Sequence, residues 1–449
     1  MFKKILVANR GEIALRIIRA CKEMGIGTVA VYSEIDGDSA HIHIADEAIC
    51  IGPASPKKSY LNTNSIISAA LVTGCEAIHP GYGFLAEDPE FVDICRENGI
   101  KFIGPEKEHI EKMGNKPEAR KIMKEMGVPI VPGSEGSINE AVEAFDTAKK
   151  IGFPVMVKAS CGGGGRGMRV IYDEKEFIDK FNIAKSEAAT SFNDGSMYIE
   201  KFIEKPRHIE FQVLADNYGN AIHLGERDCS LQRRNQKFLE EAPCAVIDQD
   251  LRAEMGEAAL KAVGAINYVN AGTVEFLLDE HGNFYFIEMN TRIQVEHTIT
   301  EMVTGIDLIK EQIRIAYGER LGISQDMVRI KGHSIECRIN AEDPENGFSP
   351  CPGEIEGYFA PGGYGVRMDS HIYGGYTVPP TYDSMIGKLI VWGKDRNEAI
   401  NRMKRALDEM VIIGIKTNIE FQKLILSHEE YLNNNIDTSF IEKVIFKGN

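Results

Sequence analysis

One stretch, Gly272 to His297 (GTVEFLLDEHGNFYFIEMNTRIQVEH), constrains this chain more than any other. Two runs rich in Val, Phe, Tyr, Ile and Leu flank the turn signal Asp279-Glu280-His281-Gly282-Asn283, which predicts a β-hairpin. A turn centred between His281 and Gly282 sets Glu275 directly opposite Glu288. Opposed residues on paired strands have Cβ atoms about 5 Å apart, where like charges repel. A divalent cation between them reverses that sign, and Mg²⁺ takes one or two carboxylates plus substrate phosphates. Side chains alternate faces along a strand. While the chain stays extended, Glu288, Asn290, Arg292, Gln294 and Glu296 therefore share one side, and Met289, Ile293 and Val295 the other. A solvated edge strand has no need of Asn, Arg and Gln between carboxylates, so this row reads as the floor of an active site.

The chain has 449 residues, enough for two or three domains. A formal charge of −16 argues against broad nucleic-acid or anionic-membrane binding, so any anion site must be a local cluster of Lys, Arg and backbone N–H groups. Nine cysteines without a C-x-x-C pair fit reduced thiols better than a disulfide framework. The start, MFKKILVANRGEIA, has too short an apolar run for a signal peptide, and no stretch is long enough to span a membrane. A cytoplasmic location is expected.

From the N-terminus, Lys4 to Ala8 reads as a buried strand. Ala14, Ile17, Ile18 and Cys21 then recur at helix spacing, and Thr28 to Tyr32 is the next strand. This β-α-β start suggests a Rossmann-like sheet. Its first turn, Asn9-Arg10-Gly11-Glu12, lacks the G-x-G-x-x-G of a dinucleotide site. Arg16, Arg19 and Glu23 lie off the apolar stripe, solvated or in a subunit contact. His41-Ile42-His43 would put two imidazoles on one strand face, with no third ligand evident for a metal. Ala77 to Phe84 is a second strand-loop unit, whose Gly81-Tyr82-Gly83 either lines a substrate mouth or simply turns. Asn115 is expected to cap a helix running to Met126, with Pro117 in its first turn and Lys116 at its start. A lysine there is not the charge a helix N-terminus prefers, which hints at an anionic ligand.

Val131-Pro132-Gly133 reads as a domain boundary, followed by a capping box at Ser137 and Glu140. Pro154 to Ser160 and Met168 to Ile171 are strands joined by Cys161-Gly162-Gly163-Gly164-Gly165-Arg166-Gly167. Glycine-rich backbone brings several N–H groups close to phosphate oxygens, and Lys158 and Arg166 add charge at both ends. It is not a Walker A loop, because no Gly-Lys-Ser/Thr follows and it joins two strands. Met197 to Ile203, Arg207 to Ala215 and Ala221 to Glu226 are further strands, and Glu200 to Ile203 could present backbone groups to a purine. Ser230 to Lys237 is a basic stretch in an acidic protein, suited to phosphate handling. Asp248 to Ile266 and Thr300 to Ala316 are helical, and Ser334 to Asn340 is a strand carrying Arg338.

A phosphate loop between strands, upstream lysines and two carboxylates on a hairpin describe ATP with Mg²⁺ and no P-loop. The chain resembles biotin carboxylase of the ATP-grasp superfamily. Matching stretches are Ala8 to Arg16, His79 to Leu85, the glycine loop, Glu288 to His297, Glu336 to Asp343 and Tyr382 to Lys388. The resemblance covers essentially the whole chain, and EMNTRIQVEH is its most specific part. It implies an α/β and α+β multidomain protein: an ATP-grasp fold with an N-terminal Rossmann-like domain, a mobile lid and a C-terminal β-rich domain. The expected divisions are 1–113, a linker helix at 114–131, the lid at 132–203, the catalytic subdomain at 204–330 and the C-terminal domain at 331–449.

By resemblance, Lys116, Lys158, Gly164, Gly165, Glu200, Lys201, Phe202, Ile203, His208 and Asn235 hold ATP, together with Glu275 and Glu288. The last two carry Mg²⁺, with Mn²⁺ as an alternative, and Asn290 lies beside them. Lys237 and Arg292 stabilise phosphate transfer to bicarbonate, which Gln294 and Val295 help to hold. Glu296 is the base that deprotonates bicarbonate, and Arg338 steadies the biotin enolate. The implied reaction forms carboxyphosphate from ATP and bicarbonate, then carboxylates N1′ of biotin.

Two departures stand out. Cys161 replaces a glycine of the family loop, and Asn235 replaces the histidine of QRRHQK. No Ala-Met-Lys-Met motif occurs, so biotin is expected on a separate biotin carboxyl carrier protein, with carboxyltransferase subunits downstream. A homodimer through Arg16, Arg19, Glu23 and Arg367 is implied. Acetyl-CoA carboxylase is the expected context and a two-subunit pyruvate carboxylase the alternative. The rivals are another ATP-grasp ligase, which should lack the Arg292, Gln294, Glu296 and Arg338 set, and a non-catalytic nucleotide-binding regulator.

Overall fold

A computed structural model describes residues 1–160, 167–192 and 194–446. The N-terminal sheet is parallel, in the order Glu47–Gly52, Gly27–Ser33, Lys4–Val7, Ala77–His79, Lys101–Phe102. Its first strand is central, so the chain leaves in opposite directions from Lys4–Val7 and Ala77–His79. Such a switch point opens a crevice beyond the carboxyl ends of the strands. Asn9 spans that crevice, its Nδ2 donating to Pro80 O (2.7 Å) and Tyr82 O (2.8 Å). Gly11, at φ +68°, starts the helix Gly11–Glu23 at a backbone angle that a side chain would strain.

The largest sheet is antiparallel, with strand order Phe284–Asn290, Asn270–Leu278, Arg207–Ala215, Ala221–Arg233, Gln236–Ala242, His333–Asn340, Met385–Gly393, Val366–Ser370. It runs unbroken across residue 330. Alternation sorts its residues: Ile209, Phe211 and Val213 enter an apolar core with Val274, Phe276, Phe284 and Phe286, while His208, Glu210 and Gln212 face the other way. A third sheet, Met168–Ile171, Val155–Ala159, Met197–Lys201, has its own core of Val155, Val157, Ile171, Phe177, Phe181, Met197 and Ile199 under the helices Ala141–Ile151 and Phe177–Phe192.

The structure changes several local expectations. His41-Ile42-His43 lies in a helix, Ala40–Ile44, with His41 buried and its Nε2 3.2 Å from Val31 O; the imidazoles do not share a strand face. Arg16 is not solvated: its guanidinium is buried against Glu301 (2.8 Å) and Asp307 (2.6 Å). Glu140 is the N-cap residue of the helix at Ala141, and Ser137 bonds to Ser160 instead of capping. Thr300 to Ala316 is two helices, His297–Thr304 and Leu308–Tyr317, divided where Gly305 turns left-handed and Asp307 caps the second. Asn115 caps Lys116–Glu125 as expected. Among the described residues every cysteine is free, and no helix is long and apolar enough to cross a membrane.

Candidate active site

The three sheets enclose one cleft of about 2160 Å³. Every expected site residue outside the glycine loop lines it, from Lys116 and Lys158 through Lys237 and Glu296 to Arg338. Gly164, Gly165 and Cys161 lie outside the described residues. Tyr82, Gly83 and Phe84 also line the cleft, so that glycine-aromatic loop does belong to its mouth.

The hairpin pairs Glu275 with Glu288, though by a different route from simple counting. Leu278↔Phe284, Leu277↔Tyr285 and Phe276↔Phe286 centre the turn on His281. A bulge at Ile287 then adds one residue and shifts the register. It also changes the face: Phe284 and Phe286 point into the core, and strict alternation would send Glu288 after them. The extra residue returns Glu288 and Asn290 to the cleft and Met289 to the core. The strand ends at Asn290, so Arg292, Gln294 and Glu296 do not continue an extended row. They sit on a bend leading to the N-cap position of His297–Thr304, which Glu296 occupies.

That bend folds Gln294 and Glu296 back over the sheet. Lys237 Nζ lies 2.9 Å from Glu275 Oε1 and 2.7 Å from Glu296 Oε1, and also contacts Glu210. Arg338 donates to Glu240 Oε1 (2.6 Å) and to Glu296 Oε2 (3.0 Å). Glu275 additionally accepts from Asn290 (3.0 Å) and Gln294 (2.9 Å), and His208 Nε2 lies 2.9 Å from its other oxygen. Burial pushes the Glu296 carboxyl up, but Lys237, Arg338 and Arg227 outweigh it and hold the group well below the carboxylate range. Burial likewise opposes the charge on Glu275, and Lys237 and His208 overcome it. Burial would lower the Lys237 ammonium; Glu210, Glu275 and Glu296 raise it well above its ordinary value.

Toward the lid, Lys158 pairs with Glu200, and Lys116 Nζ stands 3.3 Å from Glu288 Oε2. The Lys201 ammonium instead donates to Gly152 O and Phe153 O, both at 3.0 Å, and so points at the end of a helix. Phe202 and Ile203 continue along the cleft wall, and Asn235 turns at φ +64° at the tip between Ala221–Arg233 and Gln236–Ala242. Val295 offers its carbonyl to Lys388 Nζ (2.7 Å).

Several residues of the site escaped sequence reading. Arg227 is fully buried and donates to Glu210 Oε1 (2.5 Å) and Gln294 Oε1 (2.9 Å), which anchors the bend from below. Glu87, from the N-terminal unit, accepts from Arg292 Nε (2.8 Å) and Thr291 N (3.1 Å). The polar row His208, Glu210, Gln212 within an otherwise apolar strand was a legible signal; nothing in the sequence links Glu87 to Arg292, 205 positions away.

Comparisons with known proteins agree with this geometry. Residues 1–110 match the biotin carboxylase N-terminal domain, 115–324 the ATP-binding domain of the carbamoyl-phosphate synthase L chain, and 336–443 the biotin carboxylase C-terminal domain. The chain belongs to the biotin carboxylase family, with the ATP-grasp fold. It is 60% identical to the biotin carboxylase of Nostoc sp. over 99% of both chains. A pyruvate carboxylase subunit from Methanothermobacter thermautotrophicus is 56% identical, over 99% of this chain and 90% of that one. The biotin carboxylase domain dimer of Hydrogenobacter thermophilus 2-oxoglutarate carboxylase, solved with MgADP, ADP and bicarbonate, superposes with a TM-score of 0.93 at 52% identity, over 99% and 98% of the chains. The chain is thus an enzyme of that family, an ATP-dependent ligase that forms a C–N bond.

Proposed function

We propose that this chain carboxylates biotin on a separate carrier protein, as the first half-reaction of an acetyl-CoA carboxylase in the cytoplasm. The observation that carries the site assignment is the placement of Glu296 between Lys237 and Arg338 in a closed charge array. Phosphoryl transfer is mainly positioning and electrostatic stabilisation. Lys237 and Arg292 lie where charge develops on a phosphoryl group and on bicarbonate. Lys116, Lys158, Glu200, Lys201, Phe202, Ile203, His208 and Asn235 form the nucleotide wall; Gly164 and Gly165 are proposed to bind ATP with them.

Glu296 then deprotonates bicarbonate. Held well below the carboxylate range it is ionised but a weak base, whereas a general base works best with a pKa near the operating pH. An entering bicarbonate shares the charge of Lys237 and Arg338, which returns Glu296 toward ordinary basicity when the proton must move. Gln294 and Val295 orient the anion, and Arg338 steadies the enolate of biotin.

The residues present fit a hard divalent cation. Glu275 and Glu288 are opposed across the hairpin, Asn290 adds an amide oxygen, and Glu288 is half-exposed with Lys116 beside it. Mg²⁺ held there would neutralise phosphate charge; Mn²⁺ suits the same donors.

The divisions 1–113, 114–131, 132–203, 204–330 and 331–449 complete the proposal. So does a homodimer, for which the dimeric Hydrogenobacter relative is the support. In the proposed homodimer Arg19 and Glu23 would meet the partner. Arg16 and Arg367, each bound to Glu301 within the chain, would shape that surface from below. The Methanothermobacter relative supports the second reading, a two-subunit pyruvate carboxylase.

The test is ADP release with Mg²⁺ and ATP, with and without bicarbonate and free biotin, beside Glu296→Ala. Bicarbonate-dependent, biotin-stimulated turnover that collapses in the variant is expected. Turnover indifferent to biotin would favour another ATP-grasp ligase. Malonyl-CoA formation on adding carrier and carboxyltransferase subunits, against carboxylation of pyruvate, decides the acceptor.

A further inference from the structure

Behind Arg338 lies a pair of carboxyl groups to which the reaction assigns nothing. Glu240 and Glu336 are directly opposite on the antiparallel strands Gln236–Ala242 and His333–Asn340, and neither has exposed surface. Opposed residues share a face with Cβ atoms about 5 Å apart. Each commits one oxygen: Glu240 Oε1 accepts from Arg338, and Glu336 Oε2 accepts from Thr298 Oγ1. The remaining oxygens, Glu240 Oε2 and Glu336 Oε1, are buried with no hydrogen-bond partner. Two such oxygens are costly as anions. One proton between them satisfies both, since a carboxylic acid donates where a carboxylate can only accept.

Burial favours keeping that proton, against cations that pull the pair toward ionisation. Facing the pair are Lys237 on the strand of Glu240, Arg338 on that of Glu336, and Lys388 from Met385–Gly393. Glu296 approaches Glu240 from the helix-entry bend, Cys229 from Ala221–Arg233, and Tyr82 faces Glu336 from the cleft mouth. Lys388 is itself shared with Glu12 of the first helix, at 3.3 Å, and with Val295 O. Lys237 is engaged by Glu210, Glu275 and Glu296. The cations nearest the pair are thus already committed. Burial pushes Glu240 up to about 7 against the pull of Arg338, and Glu336 up to about 8 against that of Lys388.

We propose that Glu240 and Glu336 form a buried acid pair that holds one proton between them and positions Arg338 against Glu296. With the proton in place the pair carries a single charge, so Glu240 Oε1 holds Arg338 at Nε and Nη2 (both 2.6 Å) while Nη2 still reaches Glu296 Oε2 (3.0 Å). Without it, a doubly charged pair draws Arg338 away from Glu296. Neither residue touches substrate; both act through Arg338.

Glu336→Gln supplies a permanent donor where the proton would sit. It should keep kcat near wild type and move the alkaline limb of the pH profile up by about one unit or more. Glu240→Gln weakens the hold on Arg338 and should lower kcat about tenfold while leaving KM for ATP unchanged. These kinetic arms rest on the proposed role of Arg338, so two further readouts address the proton itself. Wild-type difference infrared spectra should show the carbonyl stretch of a buried carboxylic acid, fading as pH rises through about 8 and absent from either Gln variant. Carboxyls raised in the fold bind more protons folded than unfolded, so wild-type stability should fall relative to Glu336→Gln between about pH 5 and about pH 8. An acid band present with unmoved kinetics would overturn the positioning role alone. No acid band together with a pH-independent stability difference would overturn the pair.

Discussion

In the three-stranded sheet over the cleft, Lys158 pairs with Glu200 while its side chain stays 30% exposed, and the core beneath is a small apolar cluster of its own. In the eight-stranded sheet below, Glu210, Glu275 and Glu296 meet around Lys237 with side-chain exposures of 0, 6 and 2%. In the first region the lysine keeps water within reach although its partner Glu200 is buried, so the ammonium end is available to a ligand. The second has desolvated its charges almost fully, and each is tolerable only because the others are present. In the proposed function, substrate capture and chemistry are thereby separated: the half-exposed lysine is the part offered to a nucleotide, and the closed charge array the part offered to bicarbonate.

Lys237→Met puts the heaviest load on that contrast. Removing the shared cation leaves three buried carboxyl groups with only their secondary partners, Arg227, His208 and Arg338, so we expect a loss of about 3–5 kcal/mol in chemical denaturation. Biotin-dependent turnover should fall at least about a thousandfold. Wild-type stability in this variant would show that the array is not the closed unit described. Glu288→Gln tests the boundary between the regions, because this carboxylate faces the cleft but is half-exposed. The Mg²⁺ concentration needed for half-maximal ADP release should rise about tenfold or more, with an unchanged melting temperature. Lys158→Ala should raise KM for ATP about tenfold, equivalent to about 1.4 kcal/mol of binding, and leave the denaturation midpoint in place. A destabilised protein here would place Lys158 with the buried set.

The smallest effect is an acid one, and it falls outside both regions. Burial lowers His41 to about 4 and His79 and His371 to about 3, so all three are neutral in the fold. An unfolded histidine takes up a proton below about pH 6.5. Their contribution to stability is therefore present above that value and is lost progressively as pH falls toward the folded values. Hydrogen exchange at about pH 5 should show the N-terminal parallel sheet losing protection relative to pH 7 more than the three-stranded sheet does, and His41→Gln should reduce the difference.

Much of this organisation was legible in the chain. Asn115 capping Lys116–Glu125, the strand Arg207–Ala215 and the hairpin that carries Glu275 and Glu288 follow from local chemistry: a side-chain acceptor for orphaned amides, period-two hydrophobicity and a turn signal. Those signals act over a few residues and are written in consecutive sequence. What needed the tertiary structure were features that depend on distant partners. The helix at His41 forms where strand propensity is overridden by packing against Val31. Arg16 looked solvated because the acids that bury it, Glu301 and Asp307, come nearly three hundred positions later.

The site divides along the same line. Sequence alone singled out side chains that do line the cleft, because residue type and family pattern reside in the letters themselves. Tertiary structure alone decided how they engage. A single-residue bulge at Ile287 turns Glu288 out of the core, a bend after Asn290 folds Glu296 onto Lys237, and Arg227, Glu87 and Glu240 arrive from other strands and another domain to hold them. The physical reason is range: backbone propensity is local, whereas the cost of burying a charge is settled by whichever partner the whole fold brings within hydrogen-bond distance.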